Sequence, residues 1–220
     1  MDISILTLFP EIFPPIFNTS IIGRAQKKGI LNITQINIRD FATDKHKSVD
    51  DRPYGGGVGM LLRVDVCDRA IQYAKDTVSC PIDKKLERII LLDPKGKSFR
   101  QSTARRYSKL SHLILVCGHY EGFDHRIYRL VDESISIGPY VLTGGELPAA
   151  IITDCVSRLV SGVLLKKEAI TYESFSKKIL HEYPQFTRPP VYKGMKVPSQ
   201  LLSGNHKLIE EFRQKNSLLK

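Results

Sequence analysis

Short apolar runs of strand length recur along this chain, and the pattern between them is helical. The runs ISILTLF (3–9), ILNITQINIRDF (30–41), ERIILLD (87–93), the stretch 111–117 and VDESISIG (131–138) read as strands. Segments such as RVDVCDRAIQYAKD (63–76) and SFRQSTARRYSKL (98–110) read as helices. EIFPPIFNTSIIGRAQKKG suggests short helices, and another is expected near 124–130. PYVLTGGELPAAIITDCVSRLV is a loop feeding a longer helix, where Leu147, Ile151, Cys155 and Leu159 recur at i, i+4 and are expected to line a buried face. Strands alternating with helices predict an α/β fold around a mostly parallel sheet.

The chain's 220 residues allow one good core with a small appended domain. The boundaries expected are a main domain at 1–160, a linker at 161–173, and a small, mainly helical domain at 174–220, where the chain turns basic and proline-rich. Eleven Lys and Arg against five Asp and Glu fall in residues 166–220, within a chain of net charge +10. Such asymmetry points to a polyanionic partner, nucleic acid or an acidic membrane surface, or else to a basic solvated face. No apolar run approaches the roughly 20 residues that span a bilayer. MDISILTLFPEIF lacks the basic start of a signal peptide. Cys67, Cys80, Cys117 and Cys155 form no CxxC pair, so reduced thiols in a cytoplasmic protein are expected. Residues 40–60 are polar, then glycine-rich, without periodicity; a loop of that length is usually functional or mobile.

Three loops follow predicted strands: LLDPKGKS (91–98), VCGHYEGFD (116–124) and IGPYVLTGGELP (137–148). Ligands of open α/β sheets bind beyond the carboxyl ends of strands, and glycines there let the backbone approach a ligand closely. None of the loops carries GxxxxGK[ST] or GxGxxG, so a nucleotide held by its base and sugar fits better than one cradled by its phosphates. Metal-ligand spacing is absent as well. Arg158 stands four residues after Asp154. That spacing suits either a helical ion pair or a cation aimed at developing negative charge.

Several long motifs carry a resemblance. LFPEIF, RDFATDKHKSVDDRPYGGGVGM, LILVCGHYEGFDHR, SIGPYVLTGGELPA, SRLVSGVL and FTRPPVYKGMKVPSQLLSGNH resemble the bacterial tRNA (guanine-37-N1)-methyltransferases, the TrmD family of the SPOUT class. The likeness runs from residue 2 to about 217. It implies a deep C-terminal trefoil knot in the main domain, an exception to the rule that chains do not thread loops. It implies a homodimer with active sites at the subunit interface and S-adenosylmethionine bound in the knot. By motif its contacts would be Leu91, Leu92 and Pro94, then Gly118, Tyr120 and Glu121. The third loop would add Ser136, Ile137, Gly138, Tyr140, Leu142, Gly144, Gly145 and Pro148. The middle loop and linker would close on tRNA, and the terminal domain would grip the anticodon arm. Residues 40–60 and 161–173 are accordingly expected to be mobile without tRNA. The family is also reported to need magnesium, for which no sequence pattern stands here.

The chemistry implied is methylation of guanine N1, 3′ of the anticodon. N1 attacks poorly until it loses its proton, which a placed carboxylate can remove. Charge then spreads onto O6, where Arg158 would stabilise it. The family's base is an aspartate just before Ser-Phe; in AITYESF that slot holds Glu173. The added methylene moves the carboxylate by about an ångström, a displacement that can cost about 100-fold in rate unless the backbone compensates. Glu121 is the substitute base if Glu173 is only a linker carboxylate. Asp124 and Arg126 are expected to cap the short helix after the second loop. Family members commonly continue beyond the last helix, so the expectation is either that some terminal tRNA contacts are missing or that the sequence is trimmed. Two other functions suit the same motifs: a SPOUT methyltransferase for another RNA position, and a catalytically weak RNA-binding protein that retains the fold.

Overall fold

In the computed structural model, residues 1–77, 84–165, 170, 173–176 and 179–219 are described. They divide into two compact units, Met1–Leu164 and Leu165–Lys220. The first unit contains strands β1 (Asp2–Thr7), β2 (Asn32–Asn37), β3 (Asp50–Asp51), β4 (Leu61–Leu62), β5 (Glu87–Ser98), β6 (His112–Cys117) and β7 (Glu133–Ser136). Its helices are α1 (Pro14–Phe17), α2 (Ser20–Lys27), α3 (Val64–Asp76), α4 (Gln101–Tyr107) and α5 (Glu146–Ser157), with a 3-10 turn at His125–Arg129. The main sheet has the order β2–β1–β6–β5–β7, and every neighbouring pair is parallel. The expected α/β class and mostly parallel sheet are therefore present.

Parallel strands need both faces covered, and β6 is buried at all six positions. On one face Ile3, Ile5, Leu113 and Leu115 pack with Phe13, Ala149, Ile152 and Val156. On the other, Leu6, Ile114 and Val116 pack with Val66, Ala70, Ile71 and Ala74 of α3. Each fully buried Leu, Ile, Val or Phe side chain among them contributes about 1.5–3 kcal/mol. One polar clip crosses the sheet. His112, wholly buried, bonds Ser4 Oγ through Nε2 at 2.9 Å and Glu87 Oε2 through Nδ1 at 3.0 Å, so its ring ties β1, β6 and β5 in register.

The helix expected to bury Leu147, Ile151, Cys155 and Leu159 is turned the other way. Leu147 is 55% and Ile151 44% exposed, while Cys155 and Leu159 sit at the margin of the core. Pro148, Ala149, Ile152, Thr153 and Val156 are buried instead. The helix is apolar on most sides, so spacing alone could not select the face that meets the sheet. Two strand ends also differ from expectation. β2 stops at Asn37, whose side chain accepts the Arg39 N–H and turns the chain into a 3-10 helix. β5 continues to Ser98 because its far end pairs again with β7.

That second pairing is unusual. Ile135 of β7 is bridged both to Leu92 and to Lys97, and Ser136 to Ser98. A strand residue has two pairing edges, so residues 93–96 pass across β7 from one edge to the other. A Cβ on Gly96 would lie 2.5 Å from the Ile135 nitrogen. The crossing therefore requires glycine.

In the second unit, β8 (Ile179–His181) pairs antiparallel with β11 (Leu218–Leu219), and β9 (Val191–Tyr192) with β10 (Met195–Lys196). Helices α6 (Ser199–Leu202) and α7 (His206–Asn216) lie between. Asn205 caps α7, accepting the Lys207 N–H at 3.0 Å. Much of the expected linker 161–173 lies outside the described residues.

Candidate active site

The irregular middle of β5, between its two pairings with β7, and the carboxyl ends of β6 and β7 deliver the three loops to one cavity of about 540 Å³. Its volume falls within the range of ligand pockets, roughly 300–1,000 Å³. The first loop contributes Leu92, Asp93, Pro94 and Lys95 to the wall, and the second Gly118 to Phe123. From the third come Ser136, Ile137, Gly138 and the stretch Tyr140–Gly145, with Pro148 from the first turn of α5. Every cofactor contact implied by the resemblance lines this cavity except Leu91. That residue is fully buried in the middle of β5, paired with Val116 and Ser134.

Backbone contact holds the second and third loops together. Gly145 N–H donates to the Gly118 carbonyl at 2.8 Å. A Cβ at Gly145 would stand 2.6 Å from Cys117 Cα, and one at Gly118 would stand 2.8 Å from the Phe123 ring. Tyr120 adopts φ +58° and Gly122 φ +108°, which folds the second loop back on itself. Asp124 then accepts the Arg126 N–H and holds the Arg126 guanidinium through both carboxylate oxygens. That pairing holds the Asp124 carboxyl below its ordinary range. The expected helix cap is in place.

The end of the 40–60 segment meets the second loop. Glu121 N–H donates to Met60 O at 3.0 Å, Leu62 N–H to Gly122 O at 2.9 Å, and Asp124 N–H to Leu62 O at 3.0 Å. Gly59 packs so close that a Cβ there would lie 2.3 Å from Glu121 Cγ. Its neighbours Tyr54 and Val58 are almost wholly exposed. The glycine-rich stretch is thus anchored at its end on the second loop and open along its length.

A buried polar contact stands at the start of α5, just after the third loop's glycines. Glu146 is buried at the start of α5, and Thr7 Oγ1 donates to its Oε1 at 2.8 Å. Burial, then this carboxylate, raises the Cys117 thiol well above its ordinary range. His119 stacks edge-on between Phe9 and Tyr120, and its Nδ1 is buried without a hydrogen-bond partner. On the opposite wall Tyr128 donates its hydroxyl to Asp93 Oδ2. Burial, then that hydrogen bond, pushes the Tyr128 phenol up to about 12.

Asp93, His119, Phe123, His125 and Tyr128 are wall residues that the sequence reading did not assign to the site. Asp93 and His119 fall inside the flagged loops. Tyr128 lies in the following turn, and no sequence signal marks it.

The two residues assigned to the chemistry are elsewhere in the chain. Arg158 is half-buried at the carboxyl end of α5. It is ten residues from Pro148, about 15 Å along a helix. Arg158 is not among the residues that line the cavity. Glu173 belongs to the second unit, is partly buried, and accepts the Ser176 N–H at 3.1 Å through its carbonyl. Among the described residues no three His, Cys, Asp or Glu side chains cluster as a metal site, and no helix is long and apolar enough to cross a membrane.

Comparison with known proteins gives one consistent result. The sequence model of the tRNA (Guanine-1)-methyltransferase family TrmD matches residues 1–220. A tRNA (guanine-N(1)-)-methyltransferase of Carboxydothermus hydrogenoformans is 51% identical over 220 residues, 100% of this chain and 83% of that protein. A protein of the same name from Ruminiclostridium cellulolyticum is 50% identical over 219 residues, 99% of this chain and 91% of its own length.

Proposed function

This chain belongs to the tRNA (guanine-1)-methyltransferase family, and from that premise we propose that it transfers a methyl group from S-adenosylmethionine to N1 of the tRNA guanosine at position 37, 3′ of the anticodon. That it is an enzyme methylating guanine N1 in tRNA follows from the family. The observation that carries the donor assignment is the glycine-lined cavity at three strand ends, which excludes side chains where loop backbones meet. S-adenosylmethionine, when bound, supplies a methyl carbon already activated by a sulfonium. The contacts carried over from the family, Leu92 to Pro148, would hold it in this cavity.

What remains for side chains is the guanine. Removal of the N1 proton falls to Glu173, and stabilisation of the charge on O6 to Arg158. The separation of Arg158 from the cavity along α5 supports an active site shared by two chains. So do the exposed apolar side chains Leu147 and Ile151 of α5 and Val141 of the third loop, the last at 84% exposure. We read them as the homodimer surface. The double bridging of Ile135 supports the knot, since a loop must straddle a strand for one to form. The basic second unit suits the anticodon arm, whose phosphates supply affinity without specificity. Among the described residues no three His, Cys, Asp or Glu side chains cluster, and no step is assigned to a magnesium ion.

The test is methyl incorporation from labelled S-adenosylmethionine into transcripts with and without guanosine at position 37. Incorporation only in the former is expected. Glu173→Gln should lower kcat by about 10²–10⁴-fold with tRNA affinity unchanged; full turnover by that variant would move the base to another residue, Glu121 first.

A further inference from the structure

Asp93, within β5, lines the cavity, and its carboxylate is held on both oxygens. Oδ1 accepts the Lys95 backbone N–H at 2.7 Å, and Oδ2 accepts the Tyr128 hydroxyl. Both donors are neutral, so the carboxylate is fixed in place with its charge uncompensated by either. Tyr128 comes from the His125–Arg129 turn, 35 residues away in sequence, and its ring packs 4.9 Å from the His125 ring. Its raised phenol keeps it a donor across the working pH range. The charged groups of the cavity wall are Asp93, Glu121 and the exposed Lys95, beside His119 and His125. The wall thus carries more fixed negative than positive charge.

We infer that Asp93, positioned by Tyr128, is the charge-selecting residue of the cavity, favouring the cationic sulfonium donor over the neutral thioether that methyl transfer leaves behind. The inference rests on the reading of this cavity as the S-adenosylmethionine site. When the methyl carbon passes to guanine N1, the S–C bonding pair stays on sulfur and the sulfonium charge disappears. The attraction to a fixed carboxylate disappears with it, so the same residue that holds the donor does not retain the product. A unit charge acting across a few ångströms of partly screened cavity is strong enough to matter. Tyr128 has the positioning role: without its hydroxyl the carboxylate keeps its charge but turns towards solvent.

The experiment is calorimetric titration of the full chain with S-adenosylmethionine and, separately, S-adenosylhomocysteine, with melting curves to verify folding. Asp93→Asn is expected to weaken the donor about tenfold and the product less than about twofold. Tyr128→Phe, which disturbs the wall least, should lose about threefold for the donor alone. An equal loss for both ligands in either variant, or no loss in Asp93→Asn, would overturn the inference and leave Asp93 a structural residue. Wild-type protein that binds neither ligand would instead overturn the reading of the cavity on which the inference stands.

Discussion

A single methyl group added at Gly145 would meet Cys117 Cα at 2.6 Å and Gly118 N at 2.7 Å. Both neighbours are backbone, at the end of β6 and the residue just after it, so neither can turn aside as a side chain does. Gly145→Ala is therefore expected to cost about 1–3 kcal/mol, read as a lower denaturation midpoint with an unchanged m-value. Asp124 makes a prediction about pH. Its bonds from Arg126 lower its folded pKa, so its contribution is complete above the unfolded value of about 3.9. The contribution is lost as pH falls from there through the lowered folded value. The stability difference between wild type and Asp124→Asn should accordingly be constant near neutrality and vanish as pH falls through that window. A difference that persisted below it would remove the carboxylate from the account. Sequence alone pointed to both residues, one as a strand-end glycine and the other as a cap. Tyr128 carried no such signal, because its partner Asp93 is 35 positions away.

Among elements, β6 depends on one polar residue more than its apolar run suggests. Replacing His112 by Leu leaves Ser4 Oγ and Glu87 without their buried partner. An expected cost of about 1–3 kcal/mol follows, part of which Ser4→Ala should recover when combined with it. A double mutant no better than His112→Leu alone would count against the clip. The strands and helices were legible because each apolar run has the period of its element. Their ends were less so, since Asn37 ends β2 through a side-chain bond and the far end of β5 exists only by pairing with β7. α5 was recognised as a helix but assigned the wrong face. A helix apolar on most sides has two candidate faces, and the sheet takes one while Leu147 and Ile151 remain outside.

For the molecule as a whole, that outer face leads to a test of assembly. If it is the homodimer surface, Ile151→Asp should convert dimer to monomer in light scattering and abolish methylation while leaving the fold intact by circular dichroism. A monomeric variant with full activity would show that one chain suffices. The sequence by itself determined the parallel α/β class, the three strand-end loops and the basic terminal segment 166–220, because periodicity, glycine placement and charge are local properties written in order along the chain. Tertiary structure alone decided how those loops meet. The passage of residues 93–96 across β7, the Asp93–Tyr128 bond, the seat of Gly59 on Glu121 and the outward face of α5 are all contacts between distant segments. Such contacts have no period, and only the packed chain brings their partners within reach.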